Sequence, residues 1–327
     1  MYVADFNVLE FVDMIQKENG DISEVYFVAC GGSLIDLYSS YYFVNRESRT
    51  MTAEWIPSKE FVLTPPKRLG KNSLVFVCSH SGNTEETVEA ADTALKAGAF
   101  VIAYTHDDAS RCAREEYHPI VYKWEDDTPQ AEKPMCITYS ILNELLHRKE
   151  TDYKLYEAMK EGIVKCDGII RNAVKRYQNK AWNFAECYYD EPFLYIMSSG
   201  AAYAQSYGFA ICSLQEMQWM DCGYLNSAEY FHGPFEVTDE EHLYILMVSV
   251  GKTREIDLRA KTFLEKHAKK YEIIDAADCG LDGICPDCVD YFNPPLFYEM
   301  SVLYREAIQN KSGHPLSMRR YMGVVDY

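Results

Sequence analysis

The side chains best placed for chemistry in this sequence are those of residues 79–84, which read SHSGNT. Three hydroxyl groups and an imidazole lie there beside Gly82, after the apolar run Leu74 to Cys78 and before a helical pattern from Val88 to Ala97 that Gly98 can close. A strand, a polar glycine turn and a helix in this order place backbone N–H groups at a helix N-terminus, where an anion is stabilised. The pattern predicts a phosphate site.

A second turn of this kind follows the apolar run Val25 to Ala29. It reads CGGS and ends at Ser33, and helical spacing begins at Leu34. An ordinary capped helix could explain either turn alone, but two such turns after successive strands favour phosphate binding. Neither turn is a G-x-x-x-x-G-K-[ST] loop or a G-x-G-x-x-G motif, so a nucleotide is disfavoured.

Alternating strands and helices must position these turns. Further strands are predicted at Phe100 to Thr105 and Pro119 to Tyr122, which indicates a doubly wound parallel sheet with ligands at the carboxyl ends of its strands. The pattern recurs at Phe193 to Met197 and at Leu243 to Val248, with fewer hydroxyls in the turns. We therefore expect an α/β fold of two tandem domains, residues 1–155 and 156–327, joined by helices within 140–185 and holding one phosphate site.

Composition excludes several classes of protein. The 327 residues carry 50 acidic and 32 basic side chains, a net charge of −18 that disfavours nucleic acid. No apolar run is long enough to cross a membrane, and the first residues lack a signal peptide, so we expect a cytoplasmic protein. The 11 scattered cysteines indicate reduced thiols, and the cluster of Cys279, Cys285 and Cys288 would need a fourth ligand to bind zinc.

Residues 79–87 resemble the signature of the sugar isomerase (SIS) domain family, a strand followed by S-x-S-G-x-T-x-E-T. Two tandem copies resemble the isomerase half of glucosamine-6-phosphate synthase and, more closely, the deglycases that split fructosamine 6-phosphates. The matching residues are Ser79, Ser81, Gly82, Thr84, Glu86 and Thr87. The resemblance implies that the sugar phosphate is held by Gly32, Ser33, Ser79, His80, Ser81 and Thr84.

Two later stretches resemble those that carry acid and base chemistry in this family. They read LQEMQW, which contains Glu216, and EYFHGPFE, which contains His232. The resemblance implies a proton-transferring glutamate at Glu216 and a ring-opening or oxygen-protonating histidine at His232. Taken alone, the first would be interpreted as a solvated helix carboxylate and the second as a hydrogen-bonded turn residue.

The last residues, 314–322, resemble the tail that covers the sugar in these enzymes. Arg320 falls where the synthase has a lysine. An arginine stays protonated and cannot form a Schiff base, but it can bind phosphate or carboxylate. The alternative interpretation of Arg320 is a solvated charge near the chain end.

One departure from the synthase narrows the expected chemistry. Seven residues after its first glutamate the synthase has a second one for aldose–ketose proton transfer, whereas this sequence has Gly223, which cannot transfer a proton. Glutamine-dependent amination is not expected either, because the sequence begins directly before the sugar domain and has no cysteine next to Met1.

The resemblance thus implies a fructosamine-6-phosphate deglycase, a hydrolase that releases glucose 6-phosphate and a free amino acid or amine through an enaminol and an aldimine. No metal or cofactor is expected, because the substrate nitrogen itself acts as electron sink. The alternatives are a phosphosugar aldose–ketose isomerase and a non-catalytic phosphosugar sensor, although residues 1–20 are too short and acidic for a DNA-binding module. We also expect a homodimer, as in the family, since 26 tyrosines and 15 phenylalanines favour interfaces.

Overall fold

The computed structural model describes residues 1–326 of the chain. It divides into two compact units, Met1–Val164 and Lys165–Tyr327, whose boundary falls later in the chain than the one drawn from the sequence. Each unit contains one sheet in which all strand pairs are parallel. The prediction of two doubly wound parallel sheets is confirmed.

The sheet of the first unit has the strand order β2-β1-β3-β4-β5. Every residue of β1, β3 and β4 is buried, because helices cover both faces of a doubly wound sheet and such strands are continuously apolar. The strands are β1 (Glu24–Ala29), β2 (Thr52–Pro57), β3 (Ser73–Cys78), β4 (Phe100–Thr105) and β5 (Ile120–Val121).

Six helices accompany this sheet, and the last of them continues into the second unit. The first is capped at both ends, by the Asn7 side chain, which accepts from the N–H of Leu9 at 3.1 Å, and by Gly20 with a φ of +72°. The helices are α1 (Val8–Asn19), α2 (Gly31–Glu47), α3 (Ser58–Leu63), α4 (Glu85–Lys96), α5 (Pro134–Lys149) and α6 (Tyr156–Tyr188).

The second unit repeats the arrangement with strand order β7-β6-β8-β9. Its strands are β6 (Leu194–Ser198), β7 (Cys222–Asn226), β8 (Leu243–Val248) and β9 (Lys270–Asp275). Its helices are α7 (Tyr203–Tyr207), a π-helix (Gly208–Gln215), α8 (Glu216–Gln218), α9 (Arg254–His267) and α10 (Asn293–Ser312). The π-helix joins α7 directly to α8, so residues 203–218 form one continuous helical segment.

The predicted strands are found as β1, β3, β4, β5, β6 and β8, and the helices expected within 140–185 are α5 and α6. Sequence analysis missed β2, β7 and β9. All three lie at a sheet edge, where one side of the strand faces solvent and the continuous apolar run is lost.

All 11 cysteines are free thiols in the structure, as the sequence indicated. Within residues 1–326, no group of three or more His, Cys, Asp or Glu side chains has a metal-binding arrangement. No helix in the described part of the chain is both long and apolar enough to span a membrane.

Candidate active site

The two glycine turns meet where the strand order reverses in the first unit. β1 and β3 are neighbours, and their last residues, Ala29 and Cys78, are paired in register. The turns that follow therefore start at the same level of the sheet edge. Gly31, Gly32 and Ser33 form the first turn of α2, and α4 begins at Glu85. Two helix N-termini, each with N–H groups that lack intrahelical acceptors, thus border one place.

The 79–84 turn is held together by its own polar groups. The hydroxyls of Ser79 and Thr84 are 2.9 Å apart and hydrogen-bonded, and the Gly82 N–H donates to the Ser79 carbonyl at 2.9 Å. The Ser81 hydroxyl accepts from the N–H of Asn83 at 3.3 Å. Ser79 is buried whereas Ser81 is exposed, so the turn presents one hydroxyl outward and uses the other as internal support.

Gly82 is the residue of this turn that cannot carry a side chain. Its φ is +66°, a conformation that glycine adopts without strain. A Cβ atom there would lie 1.9 Å from the Ser110 hydroxyl and 2.4 Å from that of Thr105. The close packing of Gly82 against the end of β4 therefore fixes the path of the turn.

The first turn is open on its outer side and tied to α4 on its inner side. A Cβ atom at Gly32 would meet no atom within 4 Å. The Thr87 hydroxyl, in α4, bonds the hydroxyl of Ser58 at 3.0 Å and lies 3.9 Å from the Cys30 sulfur. Burial raises the pKa of the Cys78 thiol, and a hydrogen bond from Ser33 partly offsets this effect. Ser33 thus lies against the end of β3.

His80 belongs to an aromatic group at the same sheet edge. Its ring is stacked on that of His106, with centroids 5.0 Å apart and planes 2° from parallel, and its Nδ1 lies 3.0 Å from the hydroxyl of Tyr122. Desolvation by these neighbours, together with the nearby His106, lowers the pKa of His80 below its usual value. The imidazole of His80 is therefore neutral at pH 7.

The corresponding turn of the second unit is filled by the protein's own side chains. The carboxylate of Asp290 accepts from the N–H of Lys252 at 2.9 Å, and the Asn293 side-chain oxygen accepts from that of Val250 at 2.8 Å. A Cβ atom at Gly251 would lie 2.5 Å from the Asp290 carboxylate. The N–H groups that could have held an external anion are thus occupied, which supports a single phosphate site per chain.

A buried carboxylate lies behind this filled turn. Asp257, in α9, is fully buried, and its Oδ2 accepts from the N–H of Ser249 at 3.0 Å. Burial raises the pKa of Asp257 to about 6, and the hydroxyls of Ser227, Ser199 and Ser249 counteract part of that rise. The second unit thus holds a negative charge in its interior above that pH.

Glu216 begins the short helix α8, which continues from the π-helix and ends at Gln218. The next residue, Trp219, has a φ of +56°. The half-buried carboxylate of Glu216 accepts from the Arg319 guanidinium, with Oε1 and Nη2 2.7 Å apart. The guanidinium of Arg320 lies 4.3 Å from the centre of the Trp219 ring. Two of the expected site residues thus contact the region where α8 meets the C-terminal tail, Glu216 through Arg319 and Arg320 through Trp219.

His232 lies on a turn after β7, and aromatic packing on α9 supports this turn. The His232 N–H donates to the Glu229 carbonyl at 3.0 Å, and the side chain is exposed. The rings of Tyr230, Phe231 and Phe235 each pack on Phe263, at centroid distances of 5.9, 5.6 and 5.7 Å. This packing supports the turn, and within residues 1–326 no hydrogen bond joins His232 to Glu216.

The structure thus gathers one group of the expected site residues at the sheet edge of the first unit. These are Gly32, Ser33, Ser79, His80, Ser81 and Thr84. Sequence analysis missed His106 and Tyr122, which support His80. A signal existed for His106, since it stands two residues after Tyr104 as His80 stands two residues after Cys78, and these two strand residues are paired in register.

Comparison with known proteins agrees with this architecture. A family model described as the SIS domain matches residues 21–143. The chain is 37% identical to the fructosamine deglycase FrlB of Bacillus subtilis (strain 168) over 94% of this chain and 93% of that protein. It is 24% identical to the fructoselysine 6-phosphate deglycase of Escherichia coli (strain K12), over 94% and 88% respectively.

A solved structure, that of a candidate phosphosugar isomerase from Bacillus subtilis, superimposes with a TM-score of 0.93 at 35% identity and covers 99% of each chain. The chain is therefore a tandem SIS-domain protein. Within that class it belongs to the family of the Bacillus subtilis fructosamine deglycase.

Asp257 makes the stability of the second unit depend on pH. Between about pH 3.9, where an unfolded aspartate ionises, and about pH 6, the folded state binds the extra proton, so stability falls as pH rises through this window. Asp257→Asn should remove this loss. As pH rises from 4 to 7, the free energy of unfolding of the variant, relative to that of the wild type, should therefore increase by up to about 3 kcal/mol. Urea unfolding at several pH values measures this gain. Exposed Asp190→Asn is the control, and an equal pH dependence in Asp257→Asn and the wild type would contradict the assignment.

Proposed function

We propose that this protein is a fructosamine-6-phosphate deglycase. It takes a sugar 6-phosphate whose C1 carries an amine, and it releases glucose 6-phosphate and the free amino acid or amine. The observation that carries the proposal is the pair of glycine turns at the β1–β3 edge, whose open side offers helix N-termini and hydroxyls. The 37% identity to a fructosamine deglycase over nearly the whole chain supports the choice of reaction.

The reaction needs one proton shift and one hydrolysis. Removal of a proton from C1 of the open-chain ketosamine, with protonation of the C2 oxygen, gives an enaminol. Protonation of C2 then gives an aldimine between C1 and the nitrogen. Water adds to C1, the C1–N bond breaks, and the nitrogen leaves as the amine after taking a proton. The net change consumes one water, so the enzyme is a hydrolase of a carbon–nitrogen bond.

We assign the proton transfer at C1 and C2 to Glu216. A carboxylate is a suitable general base when it is partly withdrawn from water, and Glu216 is half-buried at the end of a fixed helical segment. We assign ring opening and proton delivery to oxygen to His232, which is exposed on a turn whose aromatic residues pack on Phe263. Arg320, stacked on Trp219, would contact the phosphate or a carboxylate of the leaving group.

The phosphate would be held by dipoles and hydroxyls. The N–H groups of Gly32 and Ser33 lie in the first turn of α2, and the hydroxyls of Ser79, Ser81 and Thr84 lie before α4. His80 completes the group as a neutral donor through Nε2 when the Tyr122 hydroxyl donates to its Nδ1. No cofactor is assigned.

A plain aldose–ketose isomerase is the second candidate, because the superimposed Bacillus subtilis structure is that of a candidate phosphosugar isomerase. Gly223 argues against it. Gly223 lies in β7 opposite Tyr195, and a Cβ atom there would lie 3.2 Å from that ring, so a second acidic side chain could enter only if the ring moved. Release of amine and glucose 6-phosphate from fructoselysine 6-phosphate supports the deglycase. Interconversion of glucose 6-phosphate and fructose 6-phosphate without amine release would establish the isomerase instead.

We further propose a cytoplasmic homodimer. Apolar side chains of the tail are exposed in the single chain, among them Met318, Tyr321, Met322 and Val324, and such surface is suited to an interface. Sedimentation equilibrium at micromolar concentration should give twice the chain mass of 37.7 kDa. A single species at the chain mass would refute the dimer.

Ser81→Ala tests the phosphate site. A hydrogen bond to a charged group contributes about 1.5–3 kcal/mol, so kcat/KM for the fructosamine 6-phosphate should fall by about one to two orders of magnitude. Thr93→Ala is a matched control in α4, the helix that follows this turn, because the Thr93 hydroxyl donates to the Glu89 carbonyl at 2.8 Å and lies outside the proposed site. An unchanged kcat/KM in Ser81→Ala would remove Ser81 from the site.

Glu216→Gln and His232→Ala test the catalytic assignment. The glutamine keeps the shape and hydrogen bonding of Glu216 but cannot take a proton, so kcat should fall at least about a hundredfold with KM nearly unchanged. His232→Ala should also lose kcat, and the double variant should be far less impaired than the product of the two effects. Near-normal kcat in Glu216→Gln would transfer the role to Glu229 or Glu236, beside the His232 turn.

A further inference from the structure

One side chain outside the expected site touches the proposed base directly. Arg319 donates from Nη2 to Oε1 of Glu216 at 2.7 Å, and the two side chains are 21% and 27% exposed. A hydrogen bond between ionised partners is stronger and shorter than one between neutral groups, and partial burial protects it from screening. The contact therefore fixes where the Glu216 carboxylate lies.

Hydrogen bonds within the tail also hold the Arg319 side chain in place, independently of Glu216. Its Nη1 donates to the Leu316 carbonyl at 2.6 Å and to the Met318 carbonyl at 3.0 Å. These two bonds curl the tail around the guanidinium, so little side-chain freedom is lost when Nη2 engages the carboxylate. Arg319 bonds Oε1, and within residues 1–326 no hydrogen bond reaches Oε2.

The tail that carries Arg319 is anchored on both sides of this contact. The N–H of Leu316 donates to the Gln309 side chain at 2.7 Å, and Gln218 donates to the His314 carbonyl at 3.0 Å. His314 and Arg320 both pack on the ring of Trp219. The Glu216 carboxylate is thus one of the points that fasten the tail to α8.

We propose that Arg319 is a positioning residue for Glu216. It holds Oε1, so that Oε2 is the oxygen that exchanges a proton with the sugar, and it links docking of the C-terminal tail to the orientation of the base. The inference rests on the proposed function, because it takes Glu216 as the base. Arg319 itself needs no contact with the substrate.

Steady-state kinetics with fructoselysine 6-phosphate separates positioning from binding. Misplacement of a catalytic group can cost about a hundredfold in rate, so Arg319→Met should lower kcat by about ten- to a hundredfold and change KM less than about threefold. Arg319→Lys should restore part of the lost kcat, because one ammonium donor can reach Oε1. Lys311→Met is the charge-matched control, since Lys311 pairs with Glu186 and not with Glu216. It should behave as the wild type.

Combination with Glu216→Gln shows whether Arg319 acts through that carboxylate. In the Glu216→Gln background, Arg319→Met should cause no further loss of kcat. A full additional loss, or a rise in KM with normal kcat in Arg319→Met alone, would overturn the proposal, since it would mean that Arg319 binds substrate or acts elsewhere.

Hydrogen–deuterium exchange of residues 314–326 gives a readout that needs no activity. Arg319→Met should speed exchange in this segment, Lys311→Met should not, and equal exchange in both would overturn the link between tail and carboxylate. If the wild type releases no glucose 6-phosphate but the exchange results hold, the proposed function fails while the tail contact stands.

Discussion

Pairing between β1 and β3 ends on the same rung of the sheet, Ala29 against Cys78, and the candidate site follows from that register. Because the chain leaves β1 and β3 at one level, α2 and α4 begin side by side. A shift of one residue in this pairing would move one turn along the strand direction by about 3.3 Å, more than the length of a hydrogen bond. Packing at Gly82 restricts the position of the second turn, because a methyl group there would overlap Ser110.

In the second unit, the turn that corresponds to the proposed phosphate site is filled by the protein's own side chains. In the first unit, Thr87 stands eight residues after Ser79 and bonds Ser58, the residue that follows β2. In the second unit, Asp257 stands eight residues after Ser249, and Ser227 follows β7. A neutral hydroxyl pair is thus matched by a carboxylate among hydroxyls, and the turn in front of it is filled by Asp290. The external phosphate proposed for the first unit would occupy the place that corresponds to the Asp290 carboxylate in the second unit.

The sequence predicted what depends on buried, continuous patterns. β1, β3, β4 and β8 are apolar at nearly every position and were found within one or two residues, as were the turns that follow β1 and β3. The edge strands β2, β7 and β9 were not predicted, because solvent on one side of each strand removes the continuous apolar pattern. Contacts between residues distant in sequence could not be predicted for a different reason. Nothing local in the tail indicates that Arg319, rather than Arg320, reaches Glu216, since the choice depends on how residues 314–319 curl.

The proposed site would hold a phosphate dianion in a chain with a net charge of −18 because it uses dipoles in place of charges. The two turns, 30–33 and 79–84, contain no lysine or arginine. Their donors are N–H groups of helix first turns, hydroxyls and a histidine whose lowered pKa keeps it neutral. Distant carboxylates act through screened interactions that fade within about 8 Å at physiological ionic strength, whereas these donors act at contact. Such a site would bind one compact anion. A long polyanion would be repelled by the acidic surface along its whole length.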